Sequence, residues 1–211
     1  MFDAALRPFV DQVLDPVGRR LADKGICANH VTVAGFALGV AAGLCIAMGG
    51  GAWALVPFAA NRVCDGLDGA VARARGPTDL GGFLDITLDF IVYSGLVFAF
   101  AIADPRNATA AAFLIFSFIG TGTSFLAFAI IAQKRDISTE VRGKKSFFYL
   151  GGLTEGLETI IFLSMVIAIP VLFTPLAWLF GGLCWITTGT RIAFAVRQLA
   201  GPKGRDTGDR Q

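Results

Sequence analysis

Apolar residues occur along this chain in long blocks, and most of the charged residues lie between the blocks. A helix needs roughly 20 mainly apolar residues to cross the hydrocarbon core of a bilayer. Blocks of about this length cover approximately residues 30–49, 52–74, 81–103, 107–132, 148–170 and 174–197. The pattern therefore predicts an all-α fold, an integral membrane bundle of six transmembrane helices.

The two ends of the chain follow different patterns. Residues 1–24 place Leu, Val and Phe at helical spacing among Asp and Arg, which predicts an amphipathic helix on the membrane surface. Residues 201–211 have the sequence GPKGRDTGDRQ, and we expect them to form a disordered tail. We therefore expect a single domain over residues 1–200, with the six-helix bundle at 30–197.

The composition agrees with a membrane protein. Hydrophobic residues make up 55% of the chain and charged residues 16%, whereas soluble domains contain about 25% charged residues. The formal net charge of +2 says little by itself, and we expect no nucleic-acid partner. Gly35, Gly39 and Gly43 recur at every fourth position of the first apolar block, which favours close packing of another helix.

Basic residues are concentrated on one side of the predicted bundle. The turns at 49–51, 104–107 and 170–175 contain one basic residue, Arg106. Most of the others lie in the amino-terminal segment, the 73–80 turn, the 133–147 loop and the carboxy-terminal tail. Because basic loops mark the cytoplasmic side of a membrane protein, we expect both termini and the 73–80 turn to be cytoplasmic.

Carboxylates and small residues form one stripe on each of two neighbouring predicted helices. The first stripe, with helical spacing i, i+3, i+4 and i+7, consists of Asp65, Asp68, Gly69 and Ala72. The second, with spacing i, i+4 and i+8, consists of Gly81, Asp85 and Asp89. The short turn between the helices makes them antiparallel neighbours, so we expect the four carboxylates to converge near the cytoplasmic side.

Four carboxylates at this depth require counter-charge. Each unpaired charge inside a membrane costs a few kcal/mol, and two divalent cations would supply the missing charge. Oxygen ligands alone favour hard ions such as Mg²⁺ or Mn²⁺. The small residues leave room for a bulky ligand, and Arg73 on the same rim is placed for a phosphate. This combination suggests phosphoryl-transfer chemistry.

The same residues resemble the signature of the class I CDP-alcohol phosphatidyltransferase family, D-x2-D-G-x2-A-R-x7/8-G-x3-D-x3-D. Asp65, Asp68, Gly69, Ala72, Arg73, Gly81, Asp85 and Asp89 match it, with residues 74–80 as the spacer. Asn29 and Thr32, at the entry to the first span, are similar to the family's N-x2-T element. In length and loops the chain is similar to the YnjF-like inner-membrane branch, which implies a bacterial-type inner membrane.

The resemblance implies transfer of a phosphatidyl group from a CDP-alcohol, such as CDP-diacylglycerol, to a small acceptor alcohol. It implies two metal ions, Mg²⁺ or Mn²⁺, held by Asp65, Asp68, Asp85 and Asp89, with Asp65 and Asp85 bridging them. It implies that Asp68, Gly69, Ala72, Arg73, Gly81, Asn29 and Thr32 bind the CDP group. Asp89 and Asp85 are the expected catalytic residues. Asp89 is the expected general base, with pure metal ligation as the alternative. The resemblance also implies a homodimer.

The acceptor alcohol is harder to predict. The candidate residues for binding a phosphorylated acceptor are Lys134, Arg135, Lys144, Lys145 and Arg191. For all of them except Arg191, the alternative is that the side chain contacts water or lipid headgroups. Glu155 and Glu158, one helical turn apart, would receive a cationic amino-alcohol or pair with Arg191 or Lys145 if they face the cavity; otherwise they are solvated. A cation-coupled transporter is the alternative function, because carboxylates inside a membrane also mark ion pathways.

Overall fold

Helices form all the secondary structure of the residues that the computed structural model describes, which are 3–135 and 153–200, with side chains from residue 9 onward. They are α1 (Asp3–Asp23), α2 (Ala28–Ala47), α3 (Leu55–Arg75), α4 (Asp79–Ala103), α5 (Ala108–Lys134), α6 (Gly156–Ala168) and α7 (Phe173–Leu199). Short 3₁₀ turns precede α3, α5 and α7, at Gly51–Ala54, Pro105–Asn107 and Pro170–Leu172. The predicted all-α class is confirmed.

Four helical segments of the described chain are long and apolar enough to cross a membrane: Ala28–Ala47, Asp79–Ala103, Pro105–Lys134 and Pro170–Leu199. Helix α3 has 21 residues, but its arginines and aspartates keep its hydropathy below that of the other four. Helix α6 is apolar and has 13 residues, and the predicted start of that span lies outside the described residues. The six-span count is therefore not confirmed, and the predicted tail at 201–211 also lies outside the described residues.

Helix α1 forms within the segment for which a surface helix was predicted, and it packs closely on α3. A Cβ atom built on Gly18 would lie 2.5 Å from the Cβ atom of Ala70, and one built on Gly66 would lie 2.5 Å from Leu14 Cδ1. Glycine therefore lets the two helices approach each other from both sides. The placement of α1 on a membrane surface stays a prediction.

Helix α2 contacts both α3 and α4 through its glycine stripe. A Cβ atom on Gly35 would lie 2.8 Å from Cys64 Cβ, and one on Gly39 would lie 2.6 Å from Val92 Cγ2. The Asn61 amide also donates a hydrogen bond to the Gly35 carbonyl, with an N–O distance of 2.8 Å. The predicted packing role of the stripe is confirmed, and α2 packs against both α3 and α4.

The bundle has two chemically different ends. We call the end with the α3–α4 turn, residues 76–78, the aspartate end, and the end with the Pro105–Asn107 and Pro170–Leu172 turns the opposite end. The half towards the opposite end is filled by buried apolar residues, including Phe58, Leu96, Phe100, Leu163 and Phe173. The Phe100 and Phe173 rings stack with centroids 4.4 Å apart. This packed half supports the helices that present the aspartates.

Candidate active site

The α3–α4 hairpin brings the two predicted stripes together. Gly76 ends α3 with a φ of +96°, a conformation that glycine adopts without steric penalty, and Pro77 follows it. The Thr78 hydroxyl then caps α4 by accepting a hydrogen bond from the Gly81 N–H, with an N–O distance of 3.0 Å. Helices α3 and α4 therefore run antiparallel, as the sequence predicted, and their acidic residues lie at the same depth.

Three of the four aspartates meet directly. Asp65, Asp85 and Asp89 each offer a carboxylate oxygen that lies within 4.8 Å of the other two. Asp68 is 5% exposed and lines the same small pocket as these three. Its Oδ2 atom is buried and has no hydrogen-bond partner among the described residues. We call these four residues the aspartate cluster.

The cluster fits a divalent cation. Two oxygens bound to one Mg²⁺ lie about 3.0 Å apart when adjacent and about 4.2 Å apart when opposite, since each Mg–O distance is about 2.1 Å, so the three clustered oxygens would move closer together to share one ion. A buried carboxylate oxygen without a donor is costly in a folded protein, and the Asp68 Oδ2 atom would be satisfied by a cation. An all-oxygen donor set suits Mg²⁺ or Mn²⁺.

A cation of the chain itself, which was not predicted from the sequence, lies against the cluster. Arg62, on α3, forms an ion pair with Asp89 at 2.8 Å and a longer one with Asp65 at 3.6 Å. The Arg62 guanidinium also donates a hydrogen bond of 2.6 Å to the Tyr93 hydroxyl. An arginine inside an apolar segment needs a partner, and Arg62 lies three residues before Asp65, so this spacing could have identified it.

A cavity of about 420 Å³ opens on one side of the cluster. Its walls include six of the seven residues predicted to bind the CDP group: Asn29, Thr32, Asp68, Gly69, Ala72 and Gly81. A Cβ atom on Gly69 would meet the Arg73 Nη1 atom at 3.4 Å and nothing else within 4 Å. The side of Gly69 that would carry a Cβ atom therefore faces open space and not a neighbouring helix. We call the cavity of about 420 Å³ the glycine-side cavity.

Arg73, the seventh residue, has other contacts. It forms ion pairs with Asp11 and Asp15 of α1, each with an N–O distance of 2.7 Å. It is not among the residues that line the glycine-side cavity, whereas Arg75 is. The Nη1 atom of Arg73 takes no part in these ion pairs and lies 3.4 Å from the Cβ position of Gly69, so Arg73 would not have to release either aspartate to contact a phosphate. The predicted role of Arg73 stays a prediction.

A second cavity, of about 540 Å³, opens on the other side of the cluster between α4, α5, α6 and α7. Arg191 and Glu155 line it, as do the hydroxyl side chains of Thr121, Thr154 and Thr159. Arg191 donates a hydrogen bond to the Thr121 carbonyl at 3.1 Å, and its guanidinium lies 5.5 Å from the centre of the Phe125 ring. We call this volume the arginine-side cavity.

The other predicted acceptor residues lie elsewhere. Glu158 is not among the cavity-lining residues, and it forms a capping box with Glu155: each side chain accepts a hydrogen bond from the backbone of the other residue. Lys134 and Arg135 are exposed at the end of α5, where Arg135 donates a hydrogen bond to the Leu199 carbonyl. Lys144 and Lys145 lie outside the described residues.

The cluster lies between the two cavities. Asp68 borders the glycine-side cavity, Asp89 borders the arginine-side cavity, and Asp85 borders both. Asp65 completes the small pocket between them. Two ligands could therefore meet at the carboxylates, one from each side.

Comparison with known proteins agrees with this geometry. The sequence profile of the family described as CDP-alcohol phosphatidyltransferase matches residues 25–196. The chain belongs to this family. Inner membrane protein YnjF of Escherichia coli K12 is 49% identical to it over 193 residues, which are 91% of this chain and 94% of YnjF. The predicted family and its YnjF-like branch are thus confirmed, and this relative is an inner membrane protein.

More distant proteins share part of the sequence or the fold. An archaetidylinositol phosphate synthase from Pyrococcus horikoshii is 36% identical over 98 residues, 46% of this chain and 52% of that protein. The crystal structure of the Mycobacterium tuberculosis phosphatidylinositol phosphate synthase PgsA1, with CDP-DAG bound, has a TM-score of 0.64 and 22% sequence identity. The similarity covers 95% of this chain and 98% of that chain and shows a common fold.

Proposed function

We propose that this protein transfers a phosphatidyl group from a CDP-alcohol such as CDP-diacylglycerol to an acceptor alcohol and releases CMP, in phospholipid biosynthesis. The observation that supports this proposal most is the position of the aspartate cluster between two cavities, with Asp85 in the wall of both. A transfer reaction needs a donor and an acceptor that meet at one reacting phosphorus. The family to which the chain belongs is named for this reaction.

The glycine-side cavity is the proposed donor site. Gly69, Ala72 and Gly81 leave room for a nucleotide against the helix backbones, and the Asn29, Thr32 and Asp68 side chains provide polar contacts. The mycobacterial structure of the same fold contains CDP-DAG, which supports a CDP-lipid as the donor here. The diphosphate would then lie beside Asp68 and Asp85, where the cavity meets the cluster.

Asp65, Asp68, Asp85 and Asp89 would hold two divalent cations, Mg²⁺ or Mn²⁺. When bound, such cations stabilise the negative charge that develops on the phosphate oxygens. Asp89 lines both the cluster pocket and the arginine-side cavity, so we assign it as the base that removes the proton from the acceptor hydroxyl. The acceptor oxygen forms a bond to phosphorus as the bond from phosphorus to the CMP oxygen breaks.

The arginine-side cavity is the proposed acceptor site. It offers a cation at Arg191, a carboxylate at Glu155 and several threonine hydroxyls, which suit a small polar alcohol. Arg191 favours a phosphorylated alcohol and Glu155 favours an amino-alcohol. Two of the similar proteins are named as inositol phosphate lipid synthases, so a phosphorylated polyol belongs in any acceptor screen.

The topology of the proposed enzyme follows the basic residues. We propose that α3 and α6 also span the membrane, which gives six spans with the aspartate end and both termini at the cytoplasmic face. Helix α3, with 21 residues, is about 31 Å long at 1.5 Å per residue, enough to cross the core. On α1, Phe9, Val13 and Val17 are exposed along one stripe, which supports a surface helix. A homodimer remains part of this proposal.

The alternative of a cation-coupled transporter fits the structure less well. A transporter needs a route across the membrane, but the cavity of about 590 Å³ at the opposite end is lined by none of the four aspartates. Fully buried side chains such as Leu114, Leu163 and Val166 pack the same half of the bundle. A transport role also leaves the glycine-side cavity unexplained.

One experiment separates the two functions. Purified protein in lipid vesicles receives labelled CDP-diacylglycerol with glycerol phosphate, inositol phosphate, serine or simple amino-alcohols, and mass spectrometry identifies the lipid product. We expect one acceptor to give a new phospholipid and CMP. Cation flux without any lipid product would favour transport instead.

A further inference from the structure

The Arg62 side chain uses all three of its guanidinium nitrogens at the edge of the aspartate cluster. Its Nε donates a hydrogen bond to Asn61 Oδ1 at 2.8 Å, and its Nη2 donates to Asp89 Oδ1 at 2.8 Å. Its Nη1 donates to the Tyr93 hydroxyl at 2.6 Å and to Asp89 Oδ2 at 3.3 Å. The side chain is 10% exposed, and the guanidinium lies 4.9 Å from the centre of the Tyr93 ring. The guanidinium therefore has a single defined orientation.

The two carboxylate oxygens of Asp89 accept different numbers of hydrogen bonds. Asp89 Oδ2 accepts hydrogen bonds from Arg62 Nη1 and from the Tyr93 hydroxyl, the latter at 3.2 Å. Asp89 Oδ1 accepts one, from Arg62 Nη2, among the described residues. A carboxylate oxygen has about two lone-pair directions, so Oδ2 is saturated and Oδ1 keeps one direction open. The Asp89 carboxylate lines both the cluster pocket and the arginine-side cavity.

We propose that Arg62 is a positioning residue, which together with Tyr93 turns the Asp89 carboxylate so that Oδ1 faces the reacting groups. This inference rests on the proposed function. Arg62 acts through Asp89 and does not touch substrate. Its positive charge also lies 3.6 Å or less from two carboxylates that would hold a divalent cation, so it weakens the binding of that cation.

Arg62 should raise the rate of the chemical step and lower the affinity for the divalent cation. These opposite effects distinguish a positioning residue from a purely structural ion pair. Removing the guanidinium frees the Asp89 carboxylate to rotate, which lowers the rate of the chemical step. Removing the positive charge makes the cluster more negative, which strengthens cation binding. Damage to the fold would instead weaken cation binding and activity together.

The test measures Mn²⁺ binding and turnover on the full-length protein in detergent. Electron paramagnetic resonance follows Mn²⁺ binding without any nucleotide, and CMP release gives kcat and the donor KM. For Arg62→Gln we expect the Kd for Mn²⁺ to fall at least about threefold. We expect kcat to fall about tenfold or more, with the donor KM within about twofold.

Two further variants keep the inference testable if Arg62→Gln does not fold. Lysine keeps the charge but cannot form the two-pronged contact with a carboxylate, so Arg62→Lys should keep the Mn²⁺ affinity and still lower kcat. Tyr93→Phe removes one donor to Asp89 Oδ2 and should lower kcat severalfold at unchanged Mn²⁺ affinity. Arg106→Gln is the control, because Arg106 is exposed at the opposite end and pairs with Asp104; it should change neither quantity.

Unchanged or weaker Mn²⁺ binding by an Arg62→Gln variant with the wild-type thermal midpoint would overturn the inference, as would wild-type kcat in Arg62→Lys and Tyr93→Phe. A wild-type protein that releases no CMP from any CDP donor would overturn the proposed function. In that case the Mn²⁺ titration still reports whether Arg62 opposes cation binding at the cluster. The two failures are therefore distinguishable.

Discussion

The Arg73 guanidinium lies 2.7 Å from a carboxylate oxygen of Asp15, and this ion pair joins the amino-terminal helix α1 to the helix that contains Asp65 and Asp68. Asp11 forms a second ion pair with the same Arg73 nitrogen, also at 2.7 Å. The signature arginine is therefore held by α1, with its Nη1 atom 3.4 Å from the Cβ position of Gly69.

Variants of this ion pair separate a structural role for Arg73 from a phosphate contact. The three side chains are 32% to 41% exposed, and exposed ion pairs contribute about 0 to 1 kcal/mol each. We expect Asp11→Asn with Asp15→Asn to lower the free energy of unfolding only slightly and to leave the donor KM near wild type. Arg73→Gln should raise the donor KM about tenfold if Arg73 contacts a phosphate. Equal donor KM values in the two variants would leave Arg73 with the structural role.

The space beside Gly69 predicts a variant with a binding defect and a normal fold. A Cβ atom there meets only the end of the Arg73 side chain, so Gly69→Ala should not lower the thermal midpoint. It narrows the glycine-side cavity, and we expect the donor KM to rise about tenfold with the acceptor KM unchanged. Gly95→Ala is the matched control, because Gly95 lies on α4 with open space around its Cβ position and is not among the residues lining either cavity. A wild-type donor KM for Gly69→Ala would contradict the donor-site assignment.

The glycine stripe of α2 predicts a loss of stability. A Cβ atom on Gly39 would lie 2.6 Å from Val92 Cγ2, whereas the nearest atom to one on Gly43 is Leu96 Cδ2 at 3.9 Å. Overpacking a tight contact costs about 1 to 3 kcal/mol, so Gly39→Val should lower the thermal midpoint in detergent by several degrees. Gly43→Ala should leave it unchanged or raise it slightly. Equal midpoints for the two variants would show that α2 does not depend on this contact.

Variants of the arginine-side cavity should act on the acceptor alone. We expect Arg191→Gln to raise the acceptor KM about tenfold for a phosphorylated acceptor, and Glu155→Gln to do so for an amino-alcohol. The donor KM should stay near wild type in both. Arg197→Gln, an exposed position on the same helix, is the control. Wild-type acceptor kinetics in both cavity variants would remove this cavity as the acceptor site.

The sequence was sufficient for the features that depend on periodicity. The third predicted span, 81–103, corresponds to α4 at Asp79–Ala103, because a long apolar run fixes the helix and Thr78 fixes its start. The meeting of Asp65 with Asp85 and Asp89 followed from helical spacing and a short turn. Both features are local in the chain.

Features that depend on how separate helices pack were not predictable in the same way. The contact of Arg62 with Tyr93 and Asp89 depends on the rotation of α3 against α4, and the ion pair of Arg73 with Asp15 depends on where α1 lies. The arginine one turn before Asp65 lies outside the carboxylate stripe, so the stripe alone did not indicate it. Which charged residues pair across helices therefore depends on packing that periodicity does not encode.

The most direct test of the central claim is the release of CMP from CDP-diacylglycerol by the purified protein, with the acceptor identified in the screen, measured with Mg²⁺ or Mn²⁺ and with excess chelator. We predict CMP release that needs the divalent cation and falls at least about a hundredfold in Asp89→Asn and in Asp85→Asn. Release that continues in chelator, or in both variants at the wild-type rate, would contradict a reaction at the aspartate cluster.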